Sequence, residues 1–283
     1  MSQRIGSLPL DAFVGGSANG YNGKFTMRLP VGTTYRDIKL SLSNLLISQL
    51  VLISLTLNGD EIYRTTGTAL DKLRKTLGLY TDANTVVIPF ADMSQDTIAS
   101  QNMSELIVGA NENLVLKIET GAQTAGQATA AQADPSLGVG IIEGRMEFST
   151  LPRPAGRMML PRLFTDTLGG NRAGDNRFKG LLTQNKSGNP SKLQRFILDT
   201  GRAKRVRLYQ NKMKTFDKTL AENDFDLKAE GVTQQNNQYC YNAVAYGYSE
   251  IDALSVPNDF EVVAELSSAG DFDIFYQTLE KVA

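Results

Sequence analysis

Leu55-Thr56-Leu57-Asn58-Gly59-Asp60-Glu61-Ile62-Tyr63-Arg64-Thr65 is the stretch that decides how this chain folds. Asn and Gly both tolerate the positive φ that the two central residues of a type I′ turn require, so Asn58-Gly59 predicts a two-residue β-hairpin. A helix-like stretch runs on to Leu77, with Ala69, Leu70, Leu73 and Leu77 on one face, and Gly78 follows it. The same order recurs about half a chain later. Val206-Arg207-Leu208 leads to a turn near Gln210-Asn211, a returning strand from Met213 to Phe216, and a helix-like stretch to Glu230 with Gly231 after it. Its apolar face, less regular, is Leu220, Phe225 and Leu227. Between the two copies lies a Pro-rich seam, Leu151-Pro152-Arg153-Pro154. The expected organisation is two domains, residues 1–150 and 151–283, divided near 151–156.

Outward from the hairpins, alternation of apolar and polar residues marks half-buried strands. It runs through Phe25-Met27-Leu29, Ile38-Leu40-Leu42, Val86-Ile88-Phe90 and Leu114-Leu116-Ile118, then Tyr239-Tyr241, Val262-Ala264-Leu266 and Phe272-Ile274-Tyr276. Such strands suit antiparallel sandwiches, whereas a parallel α/β sheet needs strands that are apolar throughout. A third helix is expected over Ser94 to Leu106, and short helices of this kind cap a sandwich or shield a sheet edge. Residues 121–136, rich in Ala, Gln, Gly and Thr, hold no large apolar side chain and predict a long surface loop.

Composition narrows the chemistry. The chain has 283 residues, enough for one large or two ordinary cores, and carries no histidine, no tryptophan and one cysteine. The usual general base and the commonest transition-metal ligand are thus missing, and neither an internal disulfide nor a Cys/His pair can form. Cys240, inside Tyr239-Cys240-Tyr241, reads as a packed strand residue. Gly138-Val139-Gly140 lacks the third glycine of a dinucleotide fingerprint, and no phosphate-loop Gly-Lys-Ser/Thr triplet occurs. The pairs Asp224/Asp226 and Asp271/Asp273 offer oxygen ligands, so calcium is conceivable, yet no calcium-loop motif surrounds them. Two carboxylates suffice for glycoside hydrolysis, but no local signature singles out a pair. No catalytic residue and no cofactor are assigned. No secretory signal is visible, and the longest apolar stretch, Leu45 to Leu57, is too short for a membrane span.

The net charge of −1 conceals two blocks: residues 153–218 carry 16 Lys/Arg against 4 Asp/Glu, and residues 219–283 carry 2 against 12. Within the first block Arg205 and Arg207 alternate with Val206 and Leu208, so both arginines share the solvent face of one strand. Two readings stand side by side. The arginines form a basic strand face that meets the acidic block of a neighbouring copy, or the blocks neutralise each other within one fold. Nucleic acid is a weaker partner, since no aromatic residues cluster with the arginines.

Leu29-Pro30-Val31-Gly32-Thr33-Thr34-Tyr35 with Ile38 and Leu40, the Asn58-Gly59 hairpin with its short helix, and Leu151-Pro152-Arg153-Pro154-Ala155-Gly156 resemble a known family. It is the major capsid protein of corticovirus-type (PM2-like) tailless icosahedral phages with an internal membrane, of the double jelly-roll lineage. The resemblance implies an all-β fold of two tandem eight-stranded antiparallel jelly rolls with short capping helices, standing roughly perpendicular to a shell. It further implies three copies in a pseudo-hexagonal capsomer, contact with neighbouring capsomers and with internal-membrane or other virion proteins, and residence in the virion after synthesis in the host cytoplasm. The alternative is a β-sandwich carbohydrate-binding or adhesion protein, in which Tyr246 and Tyr248 would stand in for the missing tryptophan.

Overall fold

The computed structural model describes residues 5–94, 101, 104–125, 139–149, 159–180, 191–243, 254–256 and 259–281. Two compact units emerge, one of Met1–Arg74 and Tyr80–Arg157, the other of Lys75–Leu79 and Met158–Ala283. The seam Leu151, Pro152, Arg153 and Pro154 lies outside the described residues, as do Tyr246, Tyr248 and most of residues 121–136 and of the expected helix from Ser94.

The first unit runs β1 (Ile5–Pro9), β2 (Val14–Gly15), β3 (Lys24–Arg28), β4 (Thr34–Ser43), β5 (Leu50–Leu57), β6 (Asp60–Thr65), α1 (Gly67–Thr76), β7 (Thr85–Pro89), β8 (Leu106–Ile107), β9 (Leu114–Thr120) and β10 (Ile141–Ser149). One sheet has the order β1-β10-β4-β7, with β8 also on β4; the facing strands follow β6-β5-β9-β3-β2. Every pairing within the unit is antiparallel. Apart from the β5–β6 hairpin, successive long strands cross from one sheet to the other, so neighbours within a sheet, such as β1 and β10, are distant in sequence. Leaving aside the short β2 and β8, this is the eight-stranded jelly roll. The alternation works as expected: Ile38, Leu40 and Leu42 of β4 and Leu114, Leu116 and Ile118 of β9 are buried. Tyr35 and Tyr63 flank the Phe90 ring at 6.1 and 5.2 Å, and their hydroxyls donate to the Pro30 and Pro89 carbonyls, so neither buried phenol lacks a partner.

The second unit runs β11 (Met159–Leu168), β12 (Gly174–Lys179), β13 (Ser191–Asp199), β14 (Ala203–Gln210), β15 (Met213–Thr219), α2 (Leu220–Ala229), β16 (Tyr239–Asn242), β17 (Leu254–Val256), β18 (Glu261–Leu266) and β19 (Phe272–Lys281). Its strands follow β16-β13-β19-β11, with β17 also on β13, and β12-β18-β14-β15. Position for position this is the same roll. Phe164, Phe196, Leu198, Val206, Leu208, Tyr241, Val262 and Ile274 lie in one core. Cys240 is buried on β16 opposite Ile197, as its setting in the sequence predicts.

Asn58 and Gly59 do form the left-handed pair, at φ 52° and 82°. The second turn sits one residue later than expected, at Asn211-Lys212, with φ 50° and 63°. The returning strand also extends past Phe216 to Thr219. The apolar face expected for α2 needs correction. Leu227 is buried and Leu220 packs on the core, but Phe225 is 75% exposed. On a helix, 223 and 227 share a face that 225 cannot join. Asn223 takes the inner position, donating to the Cys240 carbonyl at 2.7 Å.

Candidate assembly surface

Arg205 and Arg207 project from β14 opposite the fully buried Val206 and Leu208, as alternation requires. Cross-strand register brings their partners onto the same face: Asp175 of β12 lies beside Glu265 of β18, Glu265 beside Arg205, and Asp217 of β15 beside Arg207. Asp217 accepts from Arg205 Nε and from Lys214 Nζ, each at 2.5 Å. Arg207 reaches Asp175 at 2.7 Å and Glu265 at 3.2 Å, and Arg177 reaches Glu261 at 3.3 Å. These charge-assisted bonds hold the Asp217 carboxyl below its usual range and raise both guanidinium pKa values.

The two charge blocks therefore interleave on one sheet, because β18 from the acidic block lies between β12 and β14 from the basic block. Both arginines have partners in their own chain. A neighbouring acidic surface would have to compete with Asp217, Asp175 and Glu265 for them. The sequence shows which face the arginines occupy, but only register shows what stands next to them.

A second surface lies at the helices. Thr219 caps α2, accepting from the Glu222 N–H while Glu222 accepts from the Thr219 N–H, a capping box legible as Thr-x-x-Glu. Thr66 accepts from the Ala69 N–H and does the same for α1. Gly78 and Gly231, at φ 68° and 75°, end the helices in the left-handed conformation. The second unit takes in Lys75–Leu79 and holds it by hydrogen bonds. The Thr233 N–H donates to the Thr76 carbonyl at 3.1 Å, Gln235 Nε2 donates to the Lys75 carbonyl at 3.4 Å, and Thr76 Oγ1 donates to Gln238 at 3.3 Å.

The carboxylate pairs do not converge. Asp224 pairs with Lys228 at 2.7 Å, Asp226 with Lys218, and Asp273 accepts from Thr167 at 2.8 Å. Among the described residues no three His, Cys, Asp or Glu side chains gather around a point where a metal ion could sit. Burial pushes the Cys240 thiol up to about 12, which keeps it a neutral packing group.

The model of the viral coat protein P2 N-terminal domain matches residues 10–139, and that of its C-terminal domain matches residues 160–282. The chain belongs to the viral coat protein P2 family. Solved structures show the same fold at low sequence identity. The major capsid protein P2 from bacteriophage PM2 superposes with a TM-score of 0.77 at 15% identity, over 99% of this chain and 98% of that one. The STIV MCP gives 0.67 at 12% identity, over 98% and 97%. VP54 of PBCV-1 gives 0.61 at 8% identity, over 98% and 94%. Comparison with curated protein sequences gives no match. Membership of the coat protein P2 family fits two rolls in one chain and makes this a viral coat protein, a component of the virion. The two domain models fall one on each roll.

Proposed function

We propose that the chain is the major capsid subunit of an icosahedral shell, three copies closing into a pseudo-hexagonal capsomer of six rolls. The observation that carries this is the completion of two full jelly rolls in one chain, each a compact unit. A roll that is complete in itself is rigid without a ligand and leaves its flanks for lateral contact. Threefold closure of a chain built twice repeats one kind of contact six times from three subunits, while differences between the rolls let alternate contacts diverge. The role is assembly rather than turnover. The partners are other copies of the chain, neighbouring capsomers, and internal-membrane or other virion proteins at one end of the tile, after synthesis in the host cytoplasm.

Light scattering of the purified native protein, with electron microscopy of the same peak, tests the reading. Triangular or hexagonal particles at three times the chain mass are expected. A monomer at every concentration and salt, with no particles in the images, counts against it.

A further inference from the structure

Asn-Gly occurs three times in this chain, at Asn19-Gly20, Asn22-Gly23 and Asn58-Gly59, all in the first unit. It is the dipeptide most open to a reaction with its own backbone, because glycine has no β-carbon to shield its nitrogen. The Gly nitrogen attacks the Asn Cγ, the new C–N bond closes a cyclic imide, and Nδ2 leaves as ammonia with the proton of the Gly N–H. Water then opens the imide at either carbonyl, leaving aspartate or isoaspartate. The step needs a Gly N–H that can lose its proton to solvent and an Asn side chain free to turn onto it.

The three sites differ in both requirements. All three asparagines are exposed, yet Gly20 and Gly23 are buried. The Gly20 N–H donates to the Ser17 carbonyl at 3.0 Å, and the Gly23 N–H to Thr120 Oγ1 at 2.9 Å. Gly59 is exposed, its N–H meets no acceptor among the described residues, and a β-carbon placed on it would touch nothing. What holds Asn58 back is its side chain. Its Oδ1 accepts from the Asn113 N–H at 2.8 Å and its Nδ2 donates to Glu112 Oε1 at 3.1 Å. Glu112 is itself fixed, since its Oε2 accepts from the Gly109 N–H at 2.7 Å. The Asn58 Cγ cannot turn toward Gly59 without giving up both side-chain bonds.

We propose that Asn58-Gly59 is the deamidation site of this chain and that Glu112 and Asn113 are its gate. The site lies within one roll and is independent of the trimeric reading. When the gate opens, the exposed Gly59 nitrogen closes the imide. The product cannot restore the clamp: a carboxylate at position 58 has no N–H for Glu112, and two like charges stand where a donor met an acceptor. Isoaspartate also lengthens the backbone of a turn whose strand register depends on two residues. Modification thus keeps the hairpin in its loosened state. The second roll is built without this lability. Its turn is Asn211-Lys212, so a β-carbon and a long side chain crowd the nitrogen that would attack.

Peptide mapping by mass spectrometry of the purified chain, sampled over time in mildly alkaline buffer, tests this. In the wild type the mass gain of deamidation is expected at Asn58 ahead of Asn19, Asn22 and Asn211. Glu112→Ala should speed it several-fold at Asn58 and leave the other three unchanged. Glu112→Gln, which keeps an oxygen acceptor, should fall between. Deamidation first at Asn19 or Asn22 would overturn the site. An unchanged rate at Asn58 in Glu112→Ala would overturn the gate. A rise at all four asparagines together would overturn it as well, since that marks global unfolding rather than local release.

Discussion

At the residue scale, two positions carry a cost that the structure makes measurable. Lys212 occupies the left-handed region at φ 63°, where its counterpart in the first roll is Gly59. A side chain with a β-carbon is disfavoured there by about 1 kcal/mol. Lys212→Gly is expected to raise stability by about 0.5–1 kcal/mol, less the greater flexibility glycine gives the unfolded chain, and Gly59→Lys to lower it. Chemical denaturation of both variants checks the pair; opposite signs are required. Asp37, on β4, is the second position. Burial pushes its carboxyl from 3.8 up to about 6, Glu147 adds to the rise, and Lys39, Arg74 and Arg36 oppose it. Its Oδ1 has no hydrogen-bond partner among the described residues. The folded chain holds this proton more tightly than the unfolded chain, so stability is greatest below about pH 4 and falls as pH rises to about 6. The difference amounts to about 2–3 kcal/mol. Asp37→Asn should therefore raise the melting temperature at pH 8 and change it little at pH 4. Equal shifts at both pH values would refute the assignment.

At the element scale, the charged pairs differ by depth. Arg162 of β11 and Glu280 of β19 form an ion pair with side chains only 3% and 4% exposed. Removing one partner strands a buried charge at a cost of about 3–5 kcal/mol, whereas replacing both by apolar residues recovers much of it. Arg162→Leu should melt well below the wild type, and Arg162→Leu/Glu280→Leu above the single variant. Arg207, 19% exposed, serves three carboxylates. Arg207→Ala should cost only about 1 kcal/mol, and less at high salt. Reversing Arg205 and Arg207 to Glu together would crowd acids on one sheet, so the isolated subunit itself should lose stability.

Which elements exist was largely legible from period two and from Asn58-Gly59, because both signals are local. The repeat was legible as well, down to the glycines that end the helices. The inner face of α2 was not. Asn223 displaces an apolar residue there because the Cys240 carbonyl needs a donor, and that need arises from a strand beyond the helix. Asp37 meeting Glu147 was equally hidden, since the two lie more than a hundred residues apart and only the β4–β10 register joins them.

For the whole molecule, the proposed assembly offers the exposed aromatic side chains a role that their own fold does not. Phe225 is 75% exposed, so Phe225→Ser should leave the melting of the separated subunit within about 0.5 kcal/mol of wild type. If α2 faces a neighbour, the same change weakens particle formation in light scattering. A large loss of subunit stability would instead show that the ring packs within the chain.

The first roll closes by pairing Ile5 with Ser149, and the second by pairing Met159 with Lys281. Each roll thus needs nearly its whole sequence before its last strand can join, a non-local topology that folds slowly. On the ribosome this becomes a matter of timing. The strands of the first roll have all been made before those of the second begin, and at roughly 5–20 residues per second the remaining chain takes on the order of ten seconds to appear. Two rolls of the same strand order are in this way kept apart in time, so vectorial synthesis guards the register of a chain built twice.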